Sequence, residues 1–208
     1  NIKDILQLPM NEVRKMRGSE VSMIFQDPVV SLNPLLTIGN QMVEMLRTHY
    51  QDMTKDQAKQ KTLKLLDLVG IKPAAERYKQ YPFEFSGGML QRIMIGLALA
   101  MKPALLVADE PTTAIDAITQ AEILKEFQRI KEESHTAMIF ISHDLGAVSK
   151  IADEIVVMNG GKLVEQGDFE HILRHAKDPY TRMLAETRRS VMERYRLCLD
   201  NQEELCLN

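Results

Sequence analysis

The chain has 208 residues, 45% hydrophobic and 26% charged, enough to bury a full core in one domain, with or without a small appendage. Twenty-six Lys and Arg stand against 29 Asp and Glu, a net charge of -3, so the basic excess of a nucleic-acid binder is absent and nucleic acid is not an expected partner. The longest apolar stretch, around Ile93 to Met101, is about half of the roughly 20 residues that cross a bilayer, and the first residues carry no signal-peptide pattern. A cytoplasmic chain is expected. Cys198 and Cys206, the only cysteines, fit a reducing compartment.

In chain order, Asn11 to Arg17 reads as a short helix closed by Gly18, and Glu20 to Phe25 as a strand, followed by a loop punctuated by Pro28 and Pro34. Apolar residues recur at helical spacing from Leu36 to Tyr50 and from Thr54 to Val69, with Thr54 and Gln57 matching a capping box. Gly87 to Met101 is a further helix stopped by Pro103, and Ala104 to Ala108 a buried strand. Ala117 to Glu133 predicts an amphipathic helix, Thr136 to Ile141 a strand and Leu145 to Ala152 a helix. This alternation predicts an α/β fold with a mostly parallel sheet and crossover helices. Glu154 to Met158 and Lys162 to Gln166 flank Asn159-Gly160-Gly161, a hairpin signal, and two helices carry the tail.

Four stretches carry chemistry. Leu105 to Asp109 delivers Asp109 and Glu110 to the C-terminal end of a buried strand, the edge where open parallel sheets bind ligands. One carboxylate there suits Mg²⁺ and the next can polarise a water for phosphoryl transfer; the same pair also suits an acidic turn that merely solvates a loop. His143 follows the next strand, placed to hydrogen-bond a terminal phosphate or to remain a solvated loop histidine. Ser86, Gly87 and Gly88 open a helix, where free N–H groups, a hydroxyl and close backbone approach favour phosphate, or simply cap the helix. Gln26 ends the first strand with an amide able to ligate Mg²⁺ or water.

Together, from about residue 19 to residue 185, these stretches resemble the ATP-binding-cassette (ABC) family of ATPases. The resemblance implies a P-loop NTPase-like fold with an inserted helical subdomain: 1–34 and 102–177 as a partial RecA-like nucleotide-binding core, 35–101 as the helical signature subdomain, and 178–208 as a helical tail. It implies ATP and Mg²⁺ as cofactors, Gln26 and Asp109 as Mg²⁺ ligands, and Glu110 and His143 as catalytic residues. Gln26, Ser86, Gly87, Gly88, Gln91, Asp109 and Asp116 become nucleotide-site residues, with Ala114-Ile115-Asp116 as the D-loop. Two such domains pair head to tail in the family, so a second ATPase subunit, identical or different, is an implied partner. Permease subunits are the other, reached through the Gln26 loop and the helical subdomain, with the protein peripheral on the inner face of the cell membrane.

Met23 to Pro28 with Ser31-Leu32-Asn33-Pro34, Tyr81 to Met89, and Asp178-Pro179-Tyr180-Thr181 narrow the resemblance to the ATPases of dipeptide, oligopeptide and nickel importers. The signature departs from the commonest form at Phe85 and Met89. A non-catalytic partner subunit and a soluble cassette ATPase of repair or translation are the competing readings.

No G-x-x-x-x-G-K-[ST] occurs in the chain, although a P-loop supplies most of the donors that hold the β- and γ-phosphates. The chain starts at Asn1, and only 25 residues precede Gln26. The expectation is an N-terminally truncated family member that binds nucleotide poorly alone, exposes apolar sheet surface and self-associates. His171 and His175, four apart, suit a solvated helix face or a metal pair lacking a third ligand. Cys198 and Cys206 are too loosely spaced for a CxxC site, and no iron-sulfur cluster is expected. Met42, Met45, Met94 and Met101 sit at helical spacings that suit core filling.

Overall fold

Capping chemistry sets most element ends. In a computed structural model describing residues 4–113, 115–133 and 136–187, α1 (Met10–Met16) leads into β1 (Val21–Ile24). Where the sequence suggested only loop, Asp27 accepts the Val29 N–H at 2.8 Å and Pro28 starts a single turn, α2 (Pro28–Ser31). Thr37 caps α3 (Ile38–His49) by accepting the Asn40 N–H at 3.3 Å. The capping box forms as expected: Thr54 Oγ1 accepts the Gln57 N–H at 3.2 Å, Gln57 Oε1 accepts the Thr54 N–H at 2.9 Å, and α4 (Lys55–Leu68) follows. The short α5 (Ala74–Arg77), absent from the sequence reading, precedes α6 (Gly87–Ala100), β2 (Leu105–Asp109), α7 (Ala117–Glu133) and β3 (Ala137–Ile141). The expectations on Ala114, Cys198, Cys206 and the tail beyond residue 187 lie outside the described residues.

The chain divides into two compact units between Ser142 and His143. In the first, β1, β2 and β3 form a parallel sheet in that order, with Met23, Val107 and Ile139 in one cross-strand row and Ile24, Ala108 and Phe140 in the next. Parallel neighbours require crossovers, which the intervening helices supply. Period-2 alternation divides β1 and β2: Ser22, Ile24, Leu106 and Ala108 are buried, while Met23 on the opposite face is exposed. Ile139 and Ile141 of β3 are 50% and 45% exposed. α6 packs on β1, α2 and α4, with Ile93 and Ile95 fully buried, and Phe127 of α7 meets Phe140 of β3 edge-on at 5.4 Å and 83°.

In the second unit Asp144 accepts the Gly146 N–H at 2.8 Å and starts α8 (Leu145–Ile151). The expected hairpin is present as antiparallel β4 (Ile155–Asn159) and β5 (Lys162–Gly167). Its turn puts Gly160 and Gly161 at φ 55° and 75°, the left-handed pair that a two-residue hairpin of this twist requires. A π-helical turn (His171–His175) and a helix over 179–187 follow. Glu165 ties these pieces together: Oε1 lies 2.9 Å from His171 Nε2, and Oε2 accepts the Lys177 and Asp178 N–H groups at 2.8 Å each. Asp178 in turn accepts the Tyr180 and Thr181 N–H groups at 2.9 and 3.1 Å, which opens the last helix. Among the described residues no helix is long and apolar enough to cross a membrane.

Candidate functional site at the strand ends and the α6 entrance

Ile24 of β1 lies opposite Ala108 of β2. Gln26 is two residues past the first, and Asp109 and Glu110 directly follow the second, so all three reach the C-terminal edge of one parallel strand pair. Gln26 is exposed, and the two carboxylates are half-buried. Glu110 has φ 47°, a left-handed conformation costing a side chain about 1–2 kcal/mol. Neighbouring bonds hold it there. Its N–H donates to Ile141 O of β3 at 3.0 Å, its carbonyl accepts the Thr113 N–H at 3.2 Å, and the Thr113 hydroxyl donates to Oε2 at 2.6 Å. The turn therefore places a carboxylate at the C-terminal end of β2 with Oε2 held by the Thr113 hydroxyl, and a carboxylate is a group able to orient a water. The oxygen donors of Asp109 and Gln26 suit a hard cation such as Mg²⁺. His143 is exposed and begins the second unit, two residues beyond the end of β3.

At the other candidate locus, Ser86 Oγ accepts the Met89 N–H at 3.3 Å and caps α6. The two glycines that follow differ. Gly87 faces open space, whereas a Cβ at Gly88 would overlap the Thr119 methyl group. On its Cβ side, Gly88 is therefore packed from within the chain. Gln91, also expected at the nucleotide, is only 1% exposed, and its Nε2 has no hydrogen-bond partner among the described residues. Asp116 caps α7, accepting the Ile118 and Thr119 N–H groups at 3.1 and 3.0 Å. The Thr119 N–H first, and then its hydroxyl, hold the Asp116 carboxyl below the usual carboxylate range.

Sequence reasoning missed three supporting residues. Thr113 was signalled by a hydroxyl three positions after Glu110. Thr119 carried no comparable signal. Gln41 braces the segment after Gln26: its Oε1 accepts the Asn33 N–H at 2.9 Å, while its Nε2 donates to Asn33 O and Leu36 O at 3.0 Å.

A family model described as ABC transporter matches residues 2–113. The dipeptide transport ATP-binding protein of Bacillus subtilis is 47% identical over 182 residues, covering 88% of this chain and 54% of that protein. The metal-staphylopine import system ATP-binding protein of Staphylococcus aureus is 41% identical over 192 residues, covering 92% and 70%. The chain spans about half the length of the dipeptide and oligopeptide transport relatives it matches. Among solved structures, a dimeric ATP-binding cassette in a post-hydrolysis state bound to ADP and Pi superposes with a TM-score of 0.70 at 25% identity, covering 78% of this chain and 68% of that one.

Proposed function

The chain belongs to the ABC transporter family, and from that premise we propose that it is part of the ATP-hydrolysing subunit of an importer for peptides or nickel, working with permease subunits and a second ATPase subunit at the inner face of the cell membrane. The convergence of Gln26, Asp109 and Glu110 on the C-terminal edge of two hydrogen-bonded parallel strands carries this reading. Relatives named for dipeptide, oligopeptide and metal-staphylopine transport support the solute class.

In this mechanism Gln26 and Asp109 would hold Mg²⁺, which would supply positive charge against the phosphate oxygens. Glu110, anchored by Thr113, accepts a hydrogen bond from the attacking water and orients it along the line of displacement. His143 serves the γ-phosphate region. Ser86, Gly87 and Gly88, with Gln91 behind them and Asp116 alongside, face the nucleotide of the opposite subunit. The division into a core of 1–34 and 102–177, a helical part of 35–101 and a tail of 178–208 belongs to the same proposal. No P-loop lies within these 208 residues, so by themselves they bind the β- and γ-phosphates of ATP weakly.

The test uses the longest natural polypeptide that contains these residues. Glu110→Gln is expected to slow Mg²⁺-dependent ATP hydrolysis by roughly 10²- to 10⁴-fold, the scale of a positioned general base, while ATP binding persists. Unchanged turnover refutes the assignment. A second reading is a non-catalytic partner that lends only its Ser86–Gly88 surface. Isothermal titration of the same polypeptide with ATP separates the two, since only the catalytic subunit binds nucleotide through its own site.

A further inference from the structure

A residue other than glycine stays in the left-handed region, as Glu110 does at φ 47°, only where its surroundings over-determine it, and such residues gather at functional sites. Three hydrogen bonds do so here. The Glu110 N–H donates to Ile141 O at 3.0 Å, which ties the turn to the last residue of β3, and the Glu110 carbonyl accepts the Thr113 N–H at 3.2 Å. Both are backbone bonds, open to any pair of residues with an N–H. The third differs in kind, since Thr113 Oγ1 donates to Glu110 Oε2 at 2.6 Å, a length proper to a hydroxyl bonded to a carboxylate ion. It requires a hydroxyl at position 113. Thr113 is half-buried and its β-branching restricts χ1, so the donor is itself held in place. A long, rotamer-rich side chain is thereby pinned at its far end as well as along its backbone.

We propose that Thr113 is a positioning residue for hydrolysis: its hydroxyl fixes the Glu110 carboxylate in the orientation that directs the attacking water, so that the rate of turnover, and not the affinity for nucleotide, depends on this one donor. The proposal rests on the reading that Glu110 orients that water. Thr113 acts only through Glu110. Its contribution must therefore disappear when the carboxylate is replaced, which a residue that merely supports the fold has no reason to show.

The experiment measures Mg²⁺-dependent ATP hydrolysis by the longest natural polypeptide that contains these residues, with single turnovers of γ-labelled ATP to read the slowest variants. Thr113→Val keeps the shape and the backbone N–H and removes the hydroxyl. Its kcat is expected to fall roughly 10- to 100-fold, the loss for a hydrogen bond to a charged group, with KM for ATP within about twofold of the natural value. Thr113→Ser restores a donor and is expected to stay within about fivefold of the natural kcat, the remaining loss reflecting its freer χ1. Combined with Glu110→Gln, Thr113→Val is expected to add no more than about a twofold further loss. A natural rate for Thr113→Val beside a slow Glu110→Gln overturns the proposal and leaves the reading of Glu110 standing. The same fractional loss from Thr113→Val in both backgrounds also overturns it. An unimpaired Glu110→Gln instead removes the reading of Glu110, and the proposal with it. Should Thr113→Val fail to fold by urea titration, Thr113→Ala is carried through the same cycle, and failure of both to fold overturns the proposal by making the hydroxyl a requirement of the fold.

Discussion

Gly39→Ala sets two physical effects against each other at the second residue of α3. Replacing Gly by Ala in an exposed helix interior gains about 1 kcal/mol, and less in a first turn. Gly39, however, is buried beneath the Tyr78 ring, and an added Cβ would lie closer than 3.0 Å to Cγ, Cδ2 and Cε2. Ring and helix must separate by about 1 Å to reach ordinary carbon–carbon contact. Separation also strains the bonds that bind these segments, Gly39 N–H to Tyr78 O and Ile38 N–H to Gln80 O, both 2.9 Å. Overpacking of this kind costs about 1–3 kcal/mol, so the steric effect wins and a net loss of about 1–2 kcal/mol is expected. For a chain of this size that lowers Tm by roughly 2–8 °C. Urea unfolding of Gly39→Ala is then compared in the natural chain and in a Tyr78→Ala background. In the second the penalty vanishes or reverses, because only the propensity gain remains. A rise in stability in the natural chain, or the same loss in both backgrounds, refutes the reasoning.

Glu165 is held down to about 2 by the Asp178 N–H first, then by His171 and the Lys177 N–H. A depressed carboxylate contributes stability that is complete above its unfolded value and lost as pH falls through the folded one. Unfolding followed by tyrosine fluorescence should therefore weaken progressively between about pH 4.5 and about pH 2, and Glu165→Gln should flatten that dependence. Phe127→Ala, at a fully buried ring in edge contact with Phe140, should cost about 3–5 kcal/mol by denaturant titration. Glu110→Gly and Glu110→Ala both lose the Thr113 anchor, but only Gly relieves the positive φ. Gly should therefore be the more stable of the two by about 1 kcal/mol, the reverse of the usual order; Ala proving the more stable would remove the case for strain at this turn.

Elements with their own capping chemistry were legible in the sequence. Ala117–Glu133 has the bounds its periodicity predicts because Asp116 supplies the cap, and Thr54 with Gln57 start α4 as a reciprocal pair. The two adjacent glycines marked the hairpin turn. Alternation of strands and helices pointed to parallel pairing. The spatial order β1-β2-β3 was a different matter, since 80 residues separate Ile24, the end of β1, from Leu105, the start of β2. Strand order is set by the packing of helices from distant parts of the chain, and no local pattern records it.

The candidate site was legible to a different depth at each residue. Asp109 and Glu110 stood out because adjacent carboxylates at the end of an apolar strand have no role in a core. The left-handed backbone at Glu110 did not, since nothing in Glu-Pro-Thr-Thr requires a positive φ; it follows from the bonds to Ile141 and Thr113. Gly87 and Gly88 look equivalent in the sequence, and only the approach of α7, through a residue 31 positions downstream of Gly88, makes them different. Of the two glycines, one has open space on its Cβ side and the other has that side against the Thr119 methyl. The same contact explains why a turn that is exposed at Ser86 and Gly87 need not be loose. Its third residue is backed by the Thr119 methyl from the first turn of α7, so rigidity at the surface derives from packing one layer below it.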